Sequence, residues 1–278
     1  MPPAHWNSYP ALPSTLEASR PSQQPTVCLD FRTILRDTET MTDIDLTLLL
    51  TLNGWVGHSW TFDHLVALTA YNYLLKTGVL VALLWWCWED RRNRAPALTI
   101  LRTLAGAVVA IAVARGMQNF LPPRLRPIHD PQAIAAGLIT SDNVVPEVLR
   151  DMSSFPSDHA VLAFALATAA FLIHRGIGVF ALAWALVISC LPRVYFGMHY
   201  PFDVLGGAVV GIAVMVMAMR WPLPVVAAPR VAQWVEDHRS LFYAALFLFT
   251  YQMATLFVDT RNLVRAGSLV LKLMFAQP

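Results

Sequence analysis

Residues 155–173 read FPSDHAVLAFALATAAFLI. A serine, an aspartate and a histidine stand at the mouth of a run with no charged side chain until His174–Arg175. A polar cluster at such a place is either a helix cap or a site. The run itself is uniformly apolar rather than amphipathic, which marks a segment buried on every side, in a large core or in lipid.

The rest of the chain decides for lipid. Of its 278 residues, 56% are hydrophobic and only 14% are charged, against about 25% charged in ordinary soluble domains. The apolar residues are clumped in blocks: about 63–88, 96–121, 158–174, 177–191, 202–219 and 240–258. The expected fold is therefore an all-α, multi-pass helical membrane bundle of five core spans plus one C-terminal span. Tyr71 and Tyr73 at one end of the first block, with Trp85, Trp86 and Trp88 at the other, resemble interfacial aromatic belts. Residues 43–58 are too short an apolar stretch to cross about 30 Å of hydrocarbon and read as an interfacial or re-entrant helix.

Three regions follow: a polar tail (1–40), a membrane domain (41–220), and a linker with an extra membrane helix (221–278). The tail, rich in Pro and Ser, has no apolar core of a signal peptide and reads as disordered, or as lying upstream of a true start at Met41. Cys28, Cys87 and Cys190 fit neither a disulfide framework nor a zinc pattern. Net charge is +2, and no nucleic-acid partner is expected; the partners expected are the bilayer and a lipid.

EDRRNR (89–94) is the densest basic loop without another explanation, which makes it cytoplasmic. Residues 122–157 and 192–201 then lie together on the outer face of the cell membrane. Three polar stretches meet there: PPRLRP (122–127), FPSDH (155–159) and PRVYFGMHYPFD (192–203). In the third, Pro201 suits the first position of a helix, with His199 before it and Asp203 in its first turn. An aspartate so placed either orients the imidazole, leaving its second nitrogen free to attack, or merely favours the helix dipole. Ser157 suits an N-cap, and the N–H groups behind it suit an anion. Arg124 and Arg126 match phosphate oxygens or reach to headgroups. Together these make a phosphoryl-transfer site. No His, Asp or Glu cluster has metal-ligand spacing: His199 and Asp203 form one pair without a third ligand, and no metal or other cofactor is expected.

Arg126-Pro127, then Pro156-Ser157-Asp158-His159, then Arg193, His199 and Asp203 at their spacing resemble the three-part signature of the type 2 phosphatidic acid phosphatase superfamily. That superfamily includes lipid phosphatases, glucose-6-phosphatase and vanadium haloperoxidases. The resemblance covers about residues 43–220. It implies that His199 attacks phosphorus and forms a phosphohistidine, that Asp203 orients it, and that His159 protonates the leaving oxygen and then activates water. Arg126, Arg193, Ser157 and the N–H of Asp158 would hold the equatorial oxygens.

Three departures stand out. The family lysine seven residues before the first arginine is here Asn119, the family serine before the third-motif arginine is Pro192, and the usual glycine of the second motif is Asp158. FPSDHA resembles the branch that includes bacterial undecaprenyl-diphosphate phosphatases. A carboxylate beside phosphate is costly unless it points away or pairs with an arginine. Arg124 is the first candidate to replace the missing lysine, and Lys76, inside the first span, is the second. Loop 128–155 has helical apolar spacing at Ile134, Leu138, Val145 and Leu149, suiting a surface lid, while His129 and Asp130 read as a turn. The expected activity is hydrolysis of a polyprenyl diphosphate. Phosphatase or phosphotransferase action on phosphatidate, phosphatidylglycerophosphate or another lipid phosphate stays open, as does a non-catalytic lipid-binding or transport bundle.

Overall fold

The computed structural model describes residues 43–89, 96–141, 153–221, 227–264 and 268. All belong to the compact unit Met41–Pro278; the polar tail lies outside the described residues. Every regular element among them is helical. A first helix, α1 (43–53), precedes α2 (Trp60–Tyr71), a π-helical turn (Leu74–Gly78) and α3 (Val79–Glu89). Then come α4 (Pro96–Phe120), the short α5 (Pro131–Ala135) and α6 (Asp158–Ile173). α7 (Arg175–Trp184) continues through a second π-helical segment (Ala185–Cys190) into α8 (Leu191–Tyr195). α9 (Pro201–Arg220), α10 (Ala227–Asp237), α11 (Arg239–Ala254) and α12 (Val258–Val264) complete the chain.

Three helices, Ala97–Phe120, Arg175–Tyr195 and Pro201–Arg220, are long and apolar enough to cross a bilayer, and two bent pairs pass the same test. The first pair breaks the expected straight span 63–88: α2 and α3 meet at 63°. The break carries no proline or glycine. Asn72 caps the second half from inside the span, its Oδ1 accepting from Leu75 N at 3.1 Å. The last expected span, 240–258, also bends, by 89° between α11 and α12. The expected linker 221–239 contains a helix, α10, because Val235 falls at a position that packs into the core.

The centre of the bundle is α6. At 16 residues it is about 24 Å long, shorter than the hydrocarbon layer, and it is walled in by α3, α4, α7 and α9. Small residues permit this. A Cβ on Gly211 would stand 2.3 Å from the Val161 carbonyl, and one on Gly207 2.6 Å from that of Ser157. On the other side a Cβ on Gly178 would overlap the Phe171 backbone. Close backbone approach through small residues is how helices associate where lipid gives no hydrophobic drive between them. Outside the core, Leu205, Val209, Phe247 and Leu248 stay exposed, as side chains facing hydrocarbon do. Cys87 and Cys190 are buried thiols.

The expected surface lid takes a different form in its described half. Asp130 caps α5, accepting from Gln132 N at 2.9 Å, and Ala133 and Leu138 are buried rather than laid on a membrane surface. Val145 and Leu149 lie outside the described residues.

The packing makes a checkable contrast. Gly211→Leu should lower the thermal unfolding midpoint of detergent-purified protein by an amount equivalent to about 1–3 kcal/mol of overpacking. Gly116→Leu, where an added Cβ meets nothing within 4 Å, should stay within about 0.5 kcal/mol of the parent. Equal shifts would show that α6 and α9 do not meet at glycine.

Candidate active site

One end of the bundle gathers the C-terminal end of α4 with the stretch beyond it, the N-termini of α6 and α9, the turn between α8 and α9, the break between α2 and α3, and α1. The α8–α9 turn is closed by Met198 N donating to the Arg193 carbonyl (2.8 Å). It needs Gly197, whose φ of +66° suits a residue without a Cβ. Ile128 N donates to the Gly197 carbonyl at 3.1 Å, tying the stretch after Arg126 to the turn that carries His199.

His199 is fully buried. Its Nδ1 lies 3.0 Å from the Ser154 carbonyl, which only accepts, so Nδ1 carries the proton and Nε2 presents a lone pair. Nε2 faces Arg126 Nη1 at 3.0 Å. The direct bond expected from imidazole to Asp203 is not formed: Nδ1 and Asp203 Oδ2 are 3.7 Å apart. The carboxylate is committed elsewhere, Oδ2 to Ser154 Oγ (2.5 Å) and Tyr200 N (2.8 Å), Oδ1 to Arg124 Nη1 (2.7 Å). Asp203 is linked to His199 through Ser154, whose Oγ lies 3.4 Å from Nδ1 and donates to Asp203 Oδ2. Burial, reinforced by Arg126 and Arg193 and opposed by Asp203, lowers the His199 pKa to about 4. The ring is neutral at pH 7.

Arg124 does not stand where a phosphate ligand is expected. Its second nitrogen, Nη2, holds Asp45 Oδ2 at 2.6 Å, and its guanidinium lies 4.2 Å over the Tyr200 ring. Burial would lower its pKa, but Asp203 and Asp45 outweigh that and raise it. Asp45 Oδ1 also accepts from Phe202 N at 2.9 Å, so α1 pins the start of α9. Burial raises the Asp45 pKa against the pull of Arg124.

On the other side of the site His159 Nδ1 is 3.0 Å from Asp158 Oδ1, while Asp158 Oδ2 accepts from Arg115 Nη2 at 2.7 Å. The carboxylate in the glycine position is thus tied back by an arginine. His159 Nε2 faces Arg193 Nη2 at 3.2 Å and Lys76 Nζ at 3.4 Å. Lys76 is buried at the break of the bent span, and Asn119 sits at the exposed end of α4. Of the two candidates for the missing lysine, Lys76, on the π-helical turn before α3, stands beside His159, and Arg124 is held by Asp45 and Asp203.

Arg126 Nε, Arg193 Nε and Ser157 Oγ are buried and have no hydrogen-bond partner among the described residues. Burial, with Arg193 adding to it, lowers the Arg126 pKa to about 10, so the side chain stays charged near neutrality. Buried donors are nearly always satisfied, and these three belong to residues flanking the two histidines. Among the described residues no group of three His, Cys, Asp or Glu side chains is placed to hold one metal ion.

Reasoning from sequence missed Asp45, Arg115 and Ser154. Ionisable residues inside apolar segments, as in DIDLTLLL (43–50) and in the block holding Arg115, are a readable signal. Ser154 carried none.

The chain is 29% identical over 140 residues to the bacitracin transport permease protein BcrC of Bacillus licheniformis, covering 50% of this chain and 61% of that one. It is 27% identical over 175 residues to the undecaprenyl-diphosphatase BcrC of Bacillus subtilis, covering 61% and 80%. A lipid A 4'-phosphatase of Bacteroides thetaiotaomicron is 30% identical over 183 residues, covering 62% and 74%. The match to the first of these spans less than two thirds of that relative's length. Residues 98–226 match the PAP2 superfamily, the stretch that holds Arg126, His159, Arg193, His199 and Asp203, and the chain belongs to that superfamily.

Proposed function

We propose that this protein is a metal-independent lipid phosphatase of the cell membrane that hydrolyses a polyprenyl diphosphate of undecaprenyl type to the monophosphate. The observation that carries the phosphatase reading is the set of three unpartnered buried donors, on Arg126, Arg193 and Ser157, between two histidines tethered through opposite surroundings. A tetrahedral anion with several equatorial oxygens satisfies such a set, and fixed donors of this kind stabilise the charge of phosphoryl transfer. The diphosphate reading draws on the relative named as an undecaprenyl-diphosphatase. The outward-facing side rests on EDRRNR as the cytoplasmic loop. Phosphatidate, another lipid phosphate, or transfer to a second lipid would use the same residues.

The chemistry runs as follows. His199 Nε2 gives its lone pair to phosphorus as the bond to the leaving oxygen breaks. The positive charge that develops on the ring is carried through the Nδ1 proton to the Ser154 carbonyl and, through Ser154 Oγ, to Asp203. Arg124 and Asp45 fix Asp203 and do not touch phosphate. His159 Nε2 accepts from Arg193 and Lys76 and must gain a proton before it can act as the acid; with Asp158 offsetting the charge of the ring, it gives that proton to the leaving oxygen. It then takes one from the water that attacks the phosphohistidine, returning both residues to their starting states.

Two outcomes are expected. Phosphate release from undecaprenyl diphosphate by detergent-purified protein should survive EDTA and fall about 10³-fold or more in His199→Ala. With substrate labelled in its terminal phosphate, His159→Ala should accumulate an alkali-stable, acid-labile phosphoenzyme that His199→Ala never forms. Absence of any phosphoenzyme in both variants would overturn the histidine mechanism.

The second concerns pH. Because the His199 pKa is lowered from 6.5 to about 4, the folded state binds fewer protons here than the unfolded chain. Stability contributed by this neutral ring is complete above about pH 6.5 and is lost as pH falls toward 4. Imidazole nitrogen shifts of His199 in detergent should titrate near pH 4. A midpoint near 6.5 would contradict the burial and cationic surroundings described.

A further inference from the structure

Lys76 stands on one particular side of the reacting centre. In-line displacement places the nucleophile and the leaving oxygen on opposite sides of phosphorus. On the reading above, His199 attacks from one side and His159 protonates the leaving oxygen on the other. Lys76 Nζ touches the second histidine, 3.4 Å from its Nε2, as Arg193 Nη2 does at 3.2 Å, and so lies with it on the leaving-group side. Its remaining contacts are the Ala70 carbonyl (3.1 Å) and the face of the Tyr73 ring (4.1 Å). An ammonium has three donors, and the carbonyl and the histidine account for two.

The backbone around this lysine is held from outside its own helix. Within the π-helical turn, the Leu75 carbonyl accepts from Trp184 Nε1 at 2.8 Å and the Lys76 carbonyl from Ser189 Oγ at 2.6 Å. π-helical turns inside helices are frequent at functional sites. Here one carries Lys76.

Tyr73 links the lysine to a second feature. Tyr73, whose ring Lys76 covers, also lines an apolar groove of about 500 Å³, walled by Leu74, Val81 and Trp85 on one side and Phe247 and Tyr251 on the other. From Tyr73 to Trp85 the groove follows the helix for about 18 Å, away from the site and into the apolar part of the bundle.

We propose that Lys76 is the specificity-determining cation of a leaving-group subsite: it holds the second phosphate of a diphosphate ester, and the groove between α3 and α11 takes the hydrocarbon chain attached to that phosphate. The order His199, His159, Lys76, Tyr73, groove matches the order of groups in such a lipid: terminal phosphate, bridging oxygen, inner phosphate, chain. A monophosphate ester leaves as an alcohol and needs a proton on its oxygen. A diphosphate leaves as a second phosphate whose own negative charge needs a cation. Arg126, at the attacking histidine, serves the transferred phosphoryl group, Arg193 reaches the junction of the two phosphates, and Lys76, with the groove beyond Tyr73, serves the one left behind. The inference rests on the histidine roles of the preceding subsection.

The test compares full-length wild type, Lys76→Met and Lys76→Arg in detergent, using non-hydrolysable prenyl methylenediphosphonate and prenyl phosphonate of one chain length as competing ligands. Lys76→Met should weaken the diphosphonate at least tenfold and the phosphonate less than threefold, with Lys76→Arg recovering part of the loss. Equal weakening of both, or of neither, overturns the subsite. Binding is measured without turnover, so that result stands apart from the histidine mechanism, which fails instead if no phosphoenzyme forms. For the groove, Ala82→Trp should raise KM for a long-chain prenyl diphosphate several-fold and leave that for a five-carbon prenyl diphosphate unchanged. Unchanged KM for both assigns the groove to bilayer lipid and overturns that half of the proposal.

Discussion

The structure depends on bringing the N-termini of two helices into backbone contact. Ser157 N donates to the Asp203 carbonyl at 3.0 Å, and the absence of a side chain at Gly207 lets the Ser157 carbonyl approach α9. This one junction sets the second motif against the third. It carries His159 and His199 on the same end of the bundle and leaves Ser157 Oγ buried between them. Any side chain at Gly207 or Gly211 would force the helices apart and separate the two histidines as it did so. The alanine-rich α6 is then less a membrane span than a post around which the others are arranged, and that is why it can be shorter than the layer it stands in.

Around that junction the charges are sorted into two shells. Arg115, Arg124, Arg126, Arg193 and Lys76 face Asp45, Asp158 and Asp203, five cations against three carboxylates. Each of the three carboxylates is engaged by an arginine, Arg115 holding Asp158 and Arg124 holding both Asp45 and Asp203. The remaining cations, Arg126, Arg193 and Lys76, face imidazole nitrogens instead. Uncompensated buried cations are costly, and a phosphate dianion between them removes that cost. The same sorting keeps His199 neutral, because the positive groups and burial act on it together while Asp203 is partly spent on Arg124.

Much of this was legible before the structure. Helix ends are written in Pro201, Asp203 and Ser157, and six apolar blocks follow one another in the expected order. The sequence could not say which arginine meets which carboxylate. Arg124 and Arg126 are two residues apart in an extended stretch, and side chains so spaced diverge according to packing, not spacing. One went to Asp45 and Asp203, the other to His199. Lys76 stood only second to Arg124, because its place depends on a bend at Asn72 that no proline or glycine announces. Asp45 was hidden by the shortness of its helix, which read as interfacial although its aspartate lies at the foot of α9. The relay through Ser154 was beyond reach, since a serine in a loop carries no chemical signature of its own.

The helices outside the core acquire a reason in the same terms. A span bent by 63° cannot lie flat against a straight neighbour, so bending α2 against α3 to seat Lys76 opens a wedge on the outer side of α3. α11 lies along that wedge from Tyr243, whose hydroxyl meets Glu89 at 3.0 Å, up to Thr255 near Tyr73. It walls the wedge without filling it: the Tyr243 ring meets Trp85 of α3 at 6.1 Å between centroids, and Phe247, one turn on, lines the groove and stays exposed. α10 has the matching task on the other flank, where Val235 packs into the core beside α4. The bend that brings Lys76 beside His159 and the groove between α3 and α11 thus meet at one place, the break after Tyr71 that Asn72 caps within the first span.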